Sequence, residues 1–264
     1  MGENTIKLNG LAVSYLEEGT GSPIVLLHGF CGNKEYWENL ITTLSKSSRV
    51  IALDLPGHGE SSNLEGNITI EDIADHIKML LDYLNVKQVT MFGHSLGGYI
   101  ALAFAEKYSQ MLNGFSLIHS TAFPDSEEAK KGREAGVKKV EKEGIPAFID
   151  GLVPKLFSPE NVEKNHTAIQ TAKEIGYNTS SQGAMKTLIA MKNRPDRNFV
   201  LESAIIPVLL IAGEHDQIIP SEKTFSISKP TIKQVLLKDS GHMSMYENPT
   251  ALINNMKDFL DTLK

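Results

Sequence analysis

Short, continuously apolar runs recur along this chain, and longer amphipathic stretches separate them. Residues 24–27 lead straight into His28-Gly29, residues 50–53 into Asp54-Leu55-Pro56-Gly57-His58-Gly59, and residues 89–92 into Gly93-His94-Ser95-Leu96-Gly97. Residues 115–118 and 208–212 repeat the pattern, and 234–237 reads as a last strand. Runs this short, with no polar alternation, suit strands buried on both faces, hence a parallel sheet covered by helices. At the start, residues 5–8 and 11–16 flank Asn9-Gly10, a dipeptide that favours a tight hairpin. Residues 70–84 place Ile70, Ile73, Ile77, Leu80, Leu81 and Leu84 on one helical stripe, with Thr69 and Asp72 spaced as a capping box. Residues 96–107 and 249–263 also read as helices. Strand and helix in alternation predict α/β architecture with right-handed crossovers.

One segment breaks the rhythm. From about residue 125 to 197 no strand run occurs, and helix-like pieces are punctuated by Gly144, Pro146, Pro154, Pro159, Gly176 and Gly183. Its opening piece is dense in both charges, from Glu127 to Lys142, as a solvated helix face would be. An all-helical insertion between two strands is the expectation. At 264 residues, one large core carrying such an insertion is feasible, and 41% hydrophobic residues with 21 glycines exclude a disordered chain.

Twenty-six basic against 32 acidic residues give a net charge of -6, with no basic stripe, so nucleic acid is not an expected partner. The single cysteine, Cys31, permits no internal disulfide. The polar start lacks the apolar core of a signal peptide, and no stretch approaches the ~20 apolar residues of a membrane span. A cytoplasmic protein without a membrane partner is expected.

The residues that carry chemistry centre on Gly93-His94-Ser95-Leu96-Gly97, a G-x-S-x-G pattern between a strand and a helix. A serine there occupies a sharp, strained turn, and the glycines let strand and helix approach closely. The amide of Leu96 then opens a helix and can donate to an oxyanion. A nucleophilic serine needs a base, and the base an orienting acid. His242 follows the last strand run, and Asp216 follows residues 208–212, giving the chain order Ser, Asp, His.

With those residues in place, the chain resembles the α/β-hydrolase superfamily, in its serine carboxylesterase-like branch with a helical lid. His28-Gly29-Phe30, Asp54 to Ser61, Gly93 to Gly98, Gly213-Glu214-His215-Asp216 and Gly241-His242 carry the likeness. The resemblance implies a mostly parallel, eight-stranded sheet with helices on both faces. Residues 1–122 and 198–264 would form the core and 123–197 the lid, or cap. It implies Ser95 as nucleophile, His242 as general base then acid, Asp216 as orienting carboxylate, and the amides of Phe30 and Leu96 as oxyanion hole. The expected activity is cleavage of small carboxylic esters or related acyl substrates through an acyl-enzyme. Carbon–carbon hydrolase, lactonase, thioesterase and perhydrolase chemistry use the same triad, and a small-molecule sensor with slow turnover is the reading of a different class.

Phe30, His119, Phe148 and Met243 are the expected substrate-binding side chains; Trp37, Phe123 and Phe157 are further aromatic candidates whose ordinary role is core. His28 is expected to brace the oxyanion loop, His58, His94 and His215 to be satisfied turn or core groups, and His76 and His166 to lie on the surface. Cys31 reads as a small buried residue, and Asp54 as a brace for the Pro56-Gly57-His58-Gly59 turn. No histidine pair has metal-ligand spacing, so neither metal nor cofactor is expected. A carrier-protein partner is disfavoured, because the basic residues between Lys130 and Lys142 are interleaved with Glu134 and Glu141.

Overall fold

The computed structural model describes residues 2–264. Asn9 and Gly10 both take positive φ, 50° and 85°, a backbone twist that matches that of the flanking strands. Strand β1 (Gly2–Leu8) therefore folds back antiparallel on β2 (Leu11–Glu18), with Leu8 opposite Leu11. The remaining strands are β3 (Ser22–Leu27), β4 (Ser48–Leu53), β5 (Val89–His94), β6 (Leu112–Ile118), β7 (Val208–Gly213) and β8 (Ile232–Leu237). They form one eight-stranded sheet in the order β1-β2-β4-β3-β5-β6-β7-β8. β2 is antiparallel to β4, and every pairing from β4 to β8 is parallel.

The inner parallel strands, β3 to β7, are dry on both faces over most of their length, which is why their sequences show no alternation, while β8 at the edge exposes Lys233, Gln234 and Leu236. Val25, Leu27, Met91, Leu117 and Leu210 pack into one core layer, with residues of α2 (Ile70–Tyr83) and α3 (Leu96–Tyr108). Ile24, Leu26, Phe92, Leu209 and Ile211 point the other way, onto α1 (Glu38–Leu44) and, at the far end of the chain, the helix Pro249–Asp261. Phe92 meets Phe259 of that last helix edge to face at 6.1 Å. Removing a ring so enclosed costs about 3–5 kcal/mol.

Helix α2 begins as its sequence predicts: Asp72 N donates to Thr69 Oγ1 and Thr69 N to Asp72 Oδ2. His76 departs from expectation. It is buried, because the tip of the β1–β2 hairpin, with Asn9 against Met79, folds over that flank of α2.

Between β6 and β7 the chain is helical throughout, as a helical insertion: α4 (Glu127–Leu152), α5 (His166–Tyr177), α6 (Ser181–Asn193) and α7 (Asn198–Ser203). Gly144, at φ 81°, breaks α4 just ahead of Pro146. The ends of the insertion come together. Arg197 N donates to Ala122 O at 2.8 Å, and Arg194 bonds Asp125 at 2.6 Å while stacking over Tyr99 of α3 at 3.9 Å. Three further helices, α8 (Ser221–Thr224), α9 (Ser244–Glu247) and α10 (Pro249–Asp261), complete the chain. No helix among the described residues is long and apolar enough to cross a membrane.

Candidate active site

The end of β5 turns into α3 at Ser95, whose φ of 50° and ψ of -109° lie where few L-residues go. The strain persists because the surroundings fix it. Ser95 N donates to Ile118 O at 2.9 Å, and Ser120 Oγ donates to Ser95 O at 2.7 Å. A Cβ at Gly93 would lie 2.2 Å from Gly97 O, and one at Gly97 would lie 2.3 Å from Leu27 O. Only glycine admits a strand, a helix and β3 at that separation, as the motif requires. Ser95 is half-buried, and its Oγ has no hydrogen-bond partner among the described residues.

The loop after β3 lies against this turn. Gly32 N donates to Gly29 O at 3.0 Å, closing a tight turn whose bond leaves the Phe30 amide unused. Leu96 opens α3, so the helix offers its amide no acceptor. His28 holds the loop from behind: its Nε2 accepts from Leu55 N at 2.9 Å, so its Nδ1 carries the proton and donates to Gly29 O. Burial keeps His28 well below the usual imidazole range and His58 down to about 4, so both are neutral braces. Asp54 accepts from the amides of Lys34 and Glu60 and from Lys34 Nζ at 3.0 Å. Lys34, a buried cation joining the β1–β2 hairpin to this loop, has no signature in the sequence beyond a lysine in an apolar neighbourhood. Burial raises the Cys31 thiol far above its ordinary range, which leaves it inert.

Asp216 sits just past β7 and is 8% exposed. Its Oδ1 accepts from the amides of Ile218 and Ile219, and its Oδ2 accepts from His242 Nδ1 at 2.7 Å. Burial alone would raise this carboxyl, but the imidazoles of His242 and His119 hold it well below the usual carboxylate range. With Nδ1–H committed to Asp216, His242 presents Nε2 as its free base nitrogen.

His119, at the end of β6, takes a φ of 48° and has no exposed surface. Its Nδ1 lies 3.4 Å from Asp216 Oδ2, too poorly aligned for a hydrogen bond, and its Nε2 shares one with Ser244 Oγ at 2.7 Å. Burial lowers its basicity. Of the side chains expected to touch substrate, His119 and Met243 are therefore sealed inside, the positive φ having turned His119 toward Asp216. Phe30 and Phe148 are half-buried and meet edge to face at 5.9 Å. Phe123 is exposed, and Trp37 and Phe157 are core.

Two groups of metal-ligand atoms cluster among the described residues. In the first, Asp216 is committed to His242 and His119 to Ser244; in the second, Glu214, His215 and Asp239 form a half-exposed surface group. An apolar groove of about 590 Å³, lined by Phe115, Phe199 and Ile205, lies at the opposite end of α3 from Ser95.

A family model described as the alpha/beta hydrolase fold matches residues 22–144. A thermophilic esterase from Thermogutta terrifontis superimposes with a TM-score of 0.93 at 28% identity, covering 100% of this chain and 99% of that one. Lipase 3 of a Moraxella species is 27% identical over 93% of this chain and 79% of its own length. The dihydrolipoyllysine-residue acetyltransferase component of the acetoin cleaving system from Pseudomonas putida is 28% identical over 91% of this chain; the match spans 64% of that longer protein.

Proposed function

This chain belongs to the α/β-hydrolase fold superfamily, and on that premise we propose that it is a serine hydrolase of small carboxylic esters. The observation that carries the reading is the 2.7 Å bond between Asp216 Oδ2 and His242 Nδ1, beside a serine held on a strained turn. Ser95 Oγ attacks the ester carbonyl while His242 Nε2 takes its proton, and Asp216 stabilises the imidazolium that forms. The amides of Phe30 and Leu96 receive the developing oxyanion, each such donor being worth about 10²–10³ in rate. His242 then returns the proton to the leaving alkoxide. Water repeats the sequence on the acyl-enzyme and releases the acid.

Phe30 and Phe148 supply the apolar wall for the acyl group, and the helical insertion acts as the lid above it. The residues at the site accept and donate protons without help from a metal or organic cofactor. The test is kcat/KM across p-nitrophenyl esters of increasing acyl length, with labelling by a fluorophosphonate and Ser95→Ala as blank. A maximum in the series, with label and turnover both lost in Ser95→Ala, is expected. A folded wild-type protein that neither turns over these esters nor takes the label at Ser95 overturns the reading.

A further inference from the structure

Helix α9 is one turn long and ends in a carboxylate that no cation among the described residues pairs with. Glu247 is nonetheless 8% exposed. Burying a carboxylate without a counter-ion is costly unless hydrogen bonds replace its water. Glu247 has three, all from main-chain amides. Oε2 accepts from Gly241 N at 2.8 Å and from Met243 N at 3.2 Å, and Oε1 accepts from Ser158 N at 2.7 Å.

The first two amides are those on either side of His242, and the third belongs to the helical insertion. The residue between them is held as well, since His242 N donates to Leu156 O at 2.8 Å. Gly241 makes the approach feasible: a Cβ there would stand 2.4 Å from Ser158 N. Three converging N–H groups demand an acceptor at both oxygens, a requirement that a carboxylate meets and an amide side chain does not.

We propose that Glu247 is a positioning residue for the catalytic base, fixing the backbone on both sides of His242 and joining that loop to the insertion. The proposal rests on the reading of His242 as general base. The charged and titratable groups around that imidazole are Asp216 on its Nδ1, His119 with its ring centroid at 5.7 Å and His94 at 5.0 Å. Burial holds both neighbouring rings below the ordinary imidazole range.

Glu247→Gln keeps the shape but removes the charge and sets an N–H against an N–H. Its kcat for p-nitrophenyl acetate is expected to fall about 10–100-fold with KM little changed, the scale of a small misplacement of a catalytic group. The far-downfield proton resonance of His242 Nδ1–H should broaden. Glu247→Asp keeps the charge but shortens the reach to the three amides, and a reduced kcat with a broadened resonance is expected there too. If Glu247→Gln does not fold, Glu247→Asp alone decides, and a wild-type kcat in it overturns the proposal. So does a Glu247→Gln protein that is less stable yet keeps the wild-type kcat and resonance. The resonance is read without turnover, so an inactive wild-type protein would sink the hydrolase reading while leaving the role of Glu247 testable.

Discussion

The Nε2–H of His94 donates to the main-chain carbonyl of His242 at 2.8 Å. The residue that precedes Ser95 therefore grips the residue proposed as its base. A Cβ at Gly29 would lie 2.6 Å from the other nitrogen of the same ring. The serine turn, the loop after β3 and the histidine loop thus meet around one buried imidazole. In His94→Phe the ring's bulk remains and the hydrogen bond is lost, leaving a buried carbonyl orphaned at a cost of about 1–3 kcal/mol. Urea unfolding should register that loss, and kcat for p-nitrophenyl acetate should fall at least tenfold. Undiminished kcat would show that the bond does not hold His242.

Gly97 and Gly132 make a matched test of why glycine stands where it does. Gly97→Ala would thrust a methyl against Leu27 O at 2.3 Å, a backbone atom of a central strand that cannot step aside. Gly132 lies in the exposed part of α4 with nothing within 4 Å of its missing Cβ. Thermal melts should show Gly97→Ala destabilised by more than about 3 kcal/mol. Gly132→Ala should be stabilised by roughly 0.5–1 kcal/mol.

Lys34 Nζ lies 3.0 Å from Asp54 Oδ2, and both side chains are buried. Burial alone would lower the basicity of this amine, but Glu3, Asp54 and Glu60 more than offset it and raise it. Lys34→Met leaves the Asp54 carboxylate buried without a cation, which costs about 3–5 kcal/mol. The midpoint of denaturant unfolding should drop accordingly. A loss below about 1 kcal/mol would mean that the two amide bonds to Asp54 suffice without the ammonium.

Stability should fall as the medium turns acid, starting well above the carboxylate range. Burial holds His28 and His94 far below the ordinary imidazole value and His58 at about 4. The unfolded chain takes up a proton on each near pH 6.5 while the folded chain does not. The contribution is therefore complete above about 6.5 and is lost as pH falls toward the folded values. Each histidine adds up to about 1.4 kcal/mol per pH unit in that window, so the three approach ~4 kcal/mol per unit below about pH 5.5. Urea midpoints measured between pH 7.5 and 5 test this, and a flat response would contradict it.

The strands were legible because burial on both faces writes itself as unbroken aliphatic sequence, as at Ile24 to Leu27 and Leu209 to Ile211. The hairpin at Asn9-Gly10 and the cap at Thr69 were legible because each depends on residues a few positions apart. Asp216 and His242 each follow a strand in the sequence, and the structure joins them by a 2.7 Å hydrogen bond. What stayed hidden depends on contacts distant in sequence. Glu247 reaches Ser158 across 89 positions and His94 reaches His242 across 148, and nothing local marks the partner of either residue. His76 reads as a surface residue on its helix, yet it is buried beside residues of the β1–β2 hairpin and of the segment before α2. His119 was placed at the right sheet edge, but the positive φ that turns its ring toward Asp216 has no local signature in a histidine.

The insertion leaves and rejoins the sheet at neighbouring points, where Arg197 N meets Ala122 O. Such a segment has the ends of an exchangeable cassette: a different roof spliced between them would leave every strand in register. The cassette nonetheless carries two main-chain fittings for the histidine loop beneath, the carbonyl of Leu156 and the amide of Ser158. Neither depends on the identity of its own side chain, whereas Arg194 and Lys186 fasten the same segment through theirs, to Tyr99 and to Leu64 O. A new roof would have to bring its backbone down at the same spot and find its own side-chain ties.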